Sequence, residues 1–118
     1  MNYNLKHYAY IGDSVFELFI REIVITKTQK LDLMHKMSTN FVNAQAQADI
    51  LENIFEHLTE EELELQKRGR NLKISINKKS NPKIHALATS FEVLIGYWYL
   101  NDKTRLNEIL EIIKAQLK

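Results

Sequence analysis

The sequence predicts an all-α domain. Glycine and proline are scarce, at Gly 3 and Pro 1 in 118 residues. Apolar residues recur at helical spacing, and capping motifs punctuate those runs. A sandwich or barrel would need many more turn residues.

Six helical segments follow in order. The first is expected from about Leu5 to Ile25, where Ile11, Val15, Leu18, Phe19 and Ile23 share a helical pattern. The β-branched run Ile23-Val24-Ile25-Thr26 weakens its end. Asp32 reads as the N-cap of a short helix through about Thr39. Asn43 caps the next, whose Ala44-Gln45-Ala46-Gln47-Ala48 start has high helix propensity. Thr59-Glu60-Glu61-Glu62 matches a capping box, in which the Thr59 hydroxyl and the Glu62 carboxylate each accept a free amide. That helix is expected to stop near Gly69, a suitable residue just past a C-cap. Arg70 to Ser80 reads as polar and irregular. Asn81-Pro82 places proline at the first position of a long apolar helix reaching about Leu100. Leu106, Ile109, Leu110 and Ile113 mark a final amphipathic helix.

At 13.9 kDa the chain has the size of one domain, read as residues 1–118, and should bury roughly 65% of its unfolded surface. The composition, 45% apolar and 26% charged, is ordinary for a globular protein. With no cysteine, disulfides, thiolate–metal sites and a cysteine nucleophile are excluded. The N-terminus lacks a charged region leading into an apolar one, so secretion is not expected. Ile84 to Asn101 is the nearest thing to a membrane span. Its only formal charge, Glu92, falls near the middle at an insertion cost of roughly 2.5–3.5 kcal/mol. A buried core helix is the expected reading, in a soluble, cytoplasmic protein with no membrane partner.

Lys+Arg 16 against Asp+Glu 15 leaves a net charge of +1. That balance hides a sorting of charge. Asp49, Glu52, Glu56, Glu60, Glu61, Glu62 and Glu64 form an acidic block without a Lys or Arg. Lys67, Arg68, Arg70, Lys73, Lys78, Lys79 and Lys83 then form a basic block without an acid. Local fields can therefore be strong. Guanidinium groups fork onto phosphate oxygens, and contacts to several phosphates give salt-dependent, sequence-independent affinity. The competing reading is a solvated loop that complements the acidic helix before it. No aromatic is interleaved in this block, which disfavours a platform for stacking single-stranded bases and suits a duplex backbone.

Two carboxylates stand in apolar surroundings. Asp13 lies within Ala9-Tyr10-Ile11-Gly12-Asp13-Ser14-Val15-Phe16 and shares a stripe with Glu17 and Arg21. Glu92 lies within Leu87-Ala88-Thr89-Ser90-Phe91-Glu92-Val93-Leu94-Ile95-Gly96, on the least apolar side of its helix with His85, Thr89, Gly96 and Tyr99. A carboxylate in such a place must be paired, protonated or bound to a cation. Two of them meeting across a helix pair would suit a hard divalent ion such as Mg2+. Alternatively Glu92 pairs with a distant Lys or Arg, and Asp13-Glu17-Arg21 is a solvated salt-bridged stripe. His7, His35, His57 and His85 lack metal-ligand spacing, so zinc is not expected. Ser14 and Ser90 have no nucleophile context, and no glycine-rich phosphate loop exists. Trp98, Tyr97, Tyr99 and Phe91 read as core or interface.

Tyr10-Ile11-Gly12-Asp13-Ser14-Val15-Phe16-Glu17 resembles the signature helix of ribonuclease III catalytic domains, and Phe91-Glu92-Val93-Leu94-Ile95-Gly96-Tyr97 resembles their second acidic helix. Phe41-Val42-Asn43-Ala44-Gln45-Ala46-Gln47-Ala48 and Lys67-Arg68-Gly69-Arg70-Asn71 are similar to mini-ribonuclease III, the short branch without a double-stranded-RNA-binding domain. The four stretches occur in order over nearly the whole chain. The resemblance implies a ribonuclease III-like helical bundle that dimerises with a second copy and cleaves double-stranded RNA with Mg2+. By motif position, Asp13 and Glu92 are the implied catalytic and metal-binding carboxylates. Tyr10 is the implied dimer-interface aromatic, and Lys67, Arg68, Arg70 and Asn71 fall in the implied RNA-contacting loop. Lys73, Lys78 and Lys79 extend that basic stretch. Two acidic positions of full-length relatives are Ala9 and Thr89 here, so the cluster is thinner, and a common basic position is Ala86. Implied products carry 5′-phosphate and 3′-hydroxyl ends. The implied substrate is precursor large-subunit (23S) ribosomal RNA, with a ribosomal protein as helper. The alternative is a non-catalytic helical RNA-binding or ribosome-assembly module using the same basic stretch.

Overall fold

The computed structural model describes residues 2–72 and 81–117. Among these residues the chain forms six α-helices and one 3-10 turn: α1 (Leu5–Val24), α2 (Leu31–Val42), α3 (Ala44–Ile54), the turn Phe55–His57, α4 (Glu60–Arg70), α5 (Pro82–Asn101) and α6 (Lys103–Gln116). The fold is all-α, as the sequence predicts.

Helix α5 is the axis of the bundle. A helix apolar almost all round has no face to give to water and must be surrounded. Accordingly α1, α3, α4 and α6 all pack on it. Phe91, Val93, Leu94 and Ile95 lose all their exposed surface, and Trp98 nearly all. Phe16 of α1 meets Phe91 edge to face, with ring centroids 4.9 Å apart, an arrangement the ring quadrupoles favour. Ile20, Leu51, Ile54, Ile109 and Ile113 complete the core. The stretch that came nearest to a membrane span is thus the buried centre of the domain. Among the described residues no helix is long and apolar enough to cross a membrane.

Most helix starts follow their sequence signals. The Asn43 side chain accepts from the Ala46 amide at 2.8 Å. Thr59 and Glu62 close the expected box, Glu62 N–H donating to Thr59 Oγ1 at 3.1 Å and Thr59 N–H to Glu62 Oε1 at 2.9 Å. Pro82 opens α5 behind Asn81, whose side chain accepts from the amides of Lys83 and Ile84. Asn4 caps α1, and Asp102 caps α6.

Three expectations need correction. The short second helix starts one residue before Asp32 and runs on to Val42; Lys30 occupies the cap position without a side-chain bond. Asp32 lies in the first turn instead, where a carboxylate still favours the positive helix end. Gly69 does not end α4. It is helical, has no positive φ, and is buried against α5. A Cβ there would come within 3.1 Å of Ser90 Cα and 3.2 Å of Val93 Cβ, so close packing is what the glycine serves. Finally, Lys67, Arg68 and Arg70 belong to the last turn of α4 rather than to a loop, with Asn71 as its C-cap. Cations there complement the negative helix end. Lys73, Lys78 and Lys79 lie outside the described residues.

Candidate active site

Helices α1 and α5 cross with backbone against backbone at two glycines. A Cβ on Gly12 would lie 2.8 Å from the Glu92 carbonyl carbon and 2.9 Å from Gly96 N. A Cβ on Gly96 would lie 2.7 Å from the Tyr8 carbonyl carbon. Real Cβ atoms do not approach so closely, so only a glycine pair permits this crossing. The consequence is chemical. Asp13 follows Gly12 in the chain, and Glu92 supplies the carbonyl against which Gly12 rests. The notch therefore brings two carboxylates, 79 positions apart, to one place.

Their surroundings differ. Asp13 is exposed, whereas Glu92 is half-buried. Burial pushes the Glu92 carboxyl up to about 8; the Asp13 carboxyl beside it adds to this by hydrogen bonding and by charge, and the Gln47 amide opposes it. The charged form of Glu92 is therefore disfavoured, and a cation beside it would offset that cost. Among the described residues Glu92 forms no ion pair with any Lys or Arg. The reading in which a distant base neutralises it does not hold there. The other half of that reading survives in part: Glu17 and Arg21 do pair at 2.9 Å on an exposed face, but Asp13 is not in the pair.

Gln47 joins the site without a motif to announce it. It is only 3% exposed, sits on α3, donates its amide to the Val42 carbonyl at 3.2 Å, and lies beside Glu92, whose carboxyl it draws down. A buried amide that spans two elements fixes the carboxylate it touches. Within Ala44-Gln45-Ala46-Gln47-Ala48 the only available signal was phase: Gln45 is exposed and Gln47 is turned inward. The His85 Nε2 atom, two turns before Glu92 on α5, is buried and has no partner among the described residues.

The donor chemistry fits a hard divalent cation. Mg2+ is held by one or two carboxylates and completes its octahedron with water or phosphate oxygen. Asp13 and Glu92 supply such a pair with one side open to solvent. Among the described residues no cluster of three or more His, Cys, Asp or Glu could hold a metal, in keeping with the neutral residues Ala9 and Thr89.

The remaining predicted residues lie on α1 and at the end of α4. Tyr10, on α1, is 83% exposed. Lys67, Arg70 and Asn71 are exposed at the end of α4, and Arg68 lines clefts shared with Tyr97. A second, half-buried polar centre joins the capping-box Glu62 to a residue that no spacing announces. Arg105 grips Glu62 with Nε and Nη2, both at 2.9 Å, and donates to the His57 carbonyl; Trp98 Nε1 donates to Glu62 at 2.9 Å. This centre locks the start of α4 to α5 and α6.

Residues 6–103 match the Ribonuclease III domain family. The Clostridium tetani protein named Mini-ribonuclease 3 is 41% identical over 109 residues, covering 89% of this chain and 72% of that protein. The Synechocystis protein of the same name is 38% identical over 106 residues, covering 90% of this chain and 74% of its own length. A crystal structure of a Fusobacterium nucleatum protein superposes with a TM-score of 0.84 at 29% identity, covering 98% of this chain and 96% of that one.

Proposed function

The chain belongs to the ribonuclease III domain family and is an endoribonuclease; on that premise we propose that it cleaves double-stranded RNA with Mg2+, using Asp13 and Glu92. The observation that carries this reading is the meeting of those two carboxylates at the glycine notch, with Glu92 pushed up to about 8. No cation of the chain neutralises the pair among the described residues.

Each residue then has a task. Asp13 and Glu92 would hold the divalent ion, which would supply an activated water for in-line attack and offset charge on the leaving oxygen. Gln47 holds the Glu92 carboxylate in register. Gly12 and Gly96 fix the separation of the helices that carry the acids. Lys67, Arg68, Arg70 and Asn71 hold the phosphates of an A-form duplex, read through shape and backbone rather than sequence; Lys73, Lys78 and Lys79 continue that basic stretch. The products carry 5′-phosphate and 3′-hydroxyl ends. We assign residues 1–118 to one catalytic domain acting in the cytoplasm, with precursor 23S ribosomal RNA as substrate and a ribosomal protein as helper.

Two copies form the working unit. Tyr10 and Leu18 on α1, its C-cap Ile25, and Leu31 on α2, which shares a cleft with Ile25, are 83%, 61%, 60% and 66% exposed. Large side chains so exposed on adjoining elements suit burial against a second copy. Tyr10 is the anchor.

The test is direct. Purified protein is incubated with a long RNA duplex in Mg2+ and in chelator. Cuts in Mg2+ alone are expected, lost in Asp13→Asn and in Glu92→Gln while folding is retained. Normal turnover by either variant would remove the catalytic assignment. Duplex binding without any metal-stimulated product would favour a non-catalytic RNA-binding module.

A further inference from the structure

A cleft of about 540 Å³ opens where the start of α1 faces α4 and α5. Three tyrosines line it, Tyr3 and Tyr8 from around the start of α1 and Tyr97 from α5. The Tyr8 and Tyr97 rings meet edge to face at 5.4 Å, and Tyr3 leans on Tyr8 at 6.3 Å. Lys6 and Arg68 share the wall, and no carboxylate lines it. Among the described residues neither cation forms an ion pair. Glu61, Glu62 and Glu64 line the neighbouring cleft, which Arg68 also borders, and none of them pairs with Arg68 among the described residues. Asn4 already accepts the first free amides of α1, so the positive charge here is that of side chains.

Aromatic surface beside unpaired cations suits one ligand class. An apolar ligand would leave two cations unused, and a bare anion would leave three rings unused. A planar base carrying a phosphate uses both. The cleft volume falls within the range of small-molecule sites, roughly 300–1,000 Å³. A paired base hides its faces in the stack, so the nucleotide must be unpaired.

We infer that this cleft binds one unpaired nucleotide, with its base against the tyrosines and its phosphate beside Lys6 and Arg68. The inference rests on the nuclease reading in one respect: Arg68 belongs to the basic end of α4 that holds the duplex. An unpaired end of that duplex then enters the cleft. The chemistry is the same for a nucleotide free in solution, and the experiment separates the two sources.

Binding is measured in chelator for a blunt RNA duplex, for the same duplex with a two-nucleotide single-stranded extension, and for adenosine 5′-monophosphate. Wild type is compared with the Tyr3→Ala, Lys6→Ala double variant, both positions being exposed. Thermal unfolding checks the fold, and Lys6→Glu alone provides a second variant. Wild type is expected to bind the extended duplex about five-fold or more tighter than the blunt one, the lower end for one stacked base. The double variant should lose that preference and bind the blunt duplex unchanged. Nucleotide that displaces the extension shows that the cleft also takes it free. Nucleotide binding lost in the variant, without an extension preference, assigns the free source alone. Equal affinity for both duplexes with no nucleotide binding would overturn the inference, as would a preference that survives both variants. Failure to bind any duplex would count against the nuclease reading, and the nucleotide arm would still judge the cleft.

Discussion

Gly12→Ala is the smallest change that should separate folding from catalysis. The added methyl would run into the Glu92 carbonyl oxygen first and lie 2.8 Å from the carbonyl carbon, itself roughly 0.7 Å inside ordinary carbon–carbon contact. Backbone, not a movable side chain, is in the way, so α1 and α5 must part. Overpacking of this kind costs about 3 kcal/mol, and alanine in place of glycine returns about 1 kcal/mol of helix propensity. The net loss is about 2 kcal/mol, or roughly 8 °C in Tm for a domain of this size. The larger effect falls on cleavage. A displacement of about 1 Å between groups that must act together lowers turnover by roughly 100-fold. Gly96→Ala should behave alike. Gly69→Ala serves as the control, because its Cβ would meet Ser90 and Val93 at 3.1–3.3 Å and the propensity gain offsets that crowding. Its Tm should move by less than about 4 °C, a change under about 1 kcal/mol, with activity retained. Thermal unfolding and duplex cleavage on the three variants decide the matter. Full activity in Gly12→Ala would refute the claim that the helix crossing sets the carboxylate geometry.

Two further outcomes are expected. Arg105→Ala removes the bidentate partner of Glu62, whose side chain is only 12% exposed, and should cost about 2–3 kcal/mol by leaving a largely buried charge uncompensated. Burial alone would raise the Glu62 carboxyl, but the Arg105, Thr59 and Trp98 hydrogen bonds outweigh it and hold it below its usual 4.5. A lowered carboxyl stabilises the fold above the unfolded value and loses that contribution as pH falls through the folded one. The Tm gap between wild type and Arg105→Ala should therefore narrow below about pH 4.5; a constant gap would contradict the ion pair. Arg68→Ala with Arg70→Ala should weaken duplex binding uniformly across sequences and flatten its salt dependence by about one to two units of slope. An unchanged slope would remove those residues from phosphate contact.

What could be read from the sequence was local. Asn43, the Thr59–Glu62 box and Asn81-Pro82 act within three or four residues, so their spacing announces the helices they start. The apolar run around Phe91 to Ile95, interrupted by Glu92, likewise announces a central, surrounded helix. Gly69 misleads for the opposite reason: the same residue type serves a helix end or a close crossing, and only the position of α5 distinguishes them. The carboxylates were conspicuous as acids in apolar company, but their meeting depends on Gly12 and Gly96 fitting across a helix pair. Gln47 and Arg105 act on residues 45 and 43 positions away, beyond the reach of any periodicity. The absence of aromatics within the basic block is true of the chain and untrue of its surroundings, since Tyr3, Tyr8 and Tyr97 stand beside Arg68.

Whether Asp13 and Glu92 grip one ion together can be measured without any RNA. Titration of the purified protein with Mn2+, followed by electron paramagnetic resonance with Mg2+ as competitor, should reveal one saturable site. That site should weaken at least ten-fold in both Asp13→Asn and Glu92→Gln, the scale expected for loss of a charged hydrogen-bonding partner. Undiminished binding in either variant would contradict a shared ion.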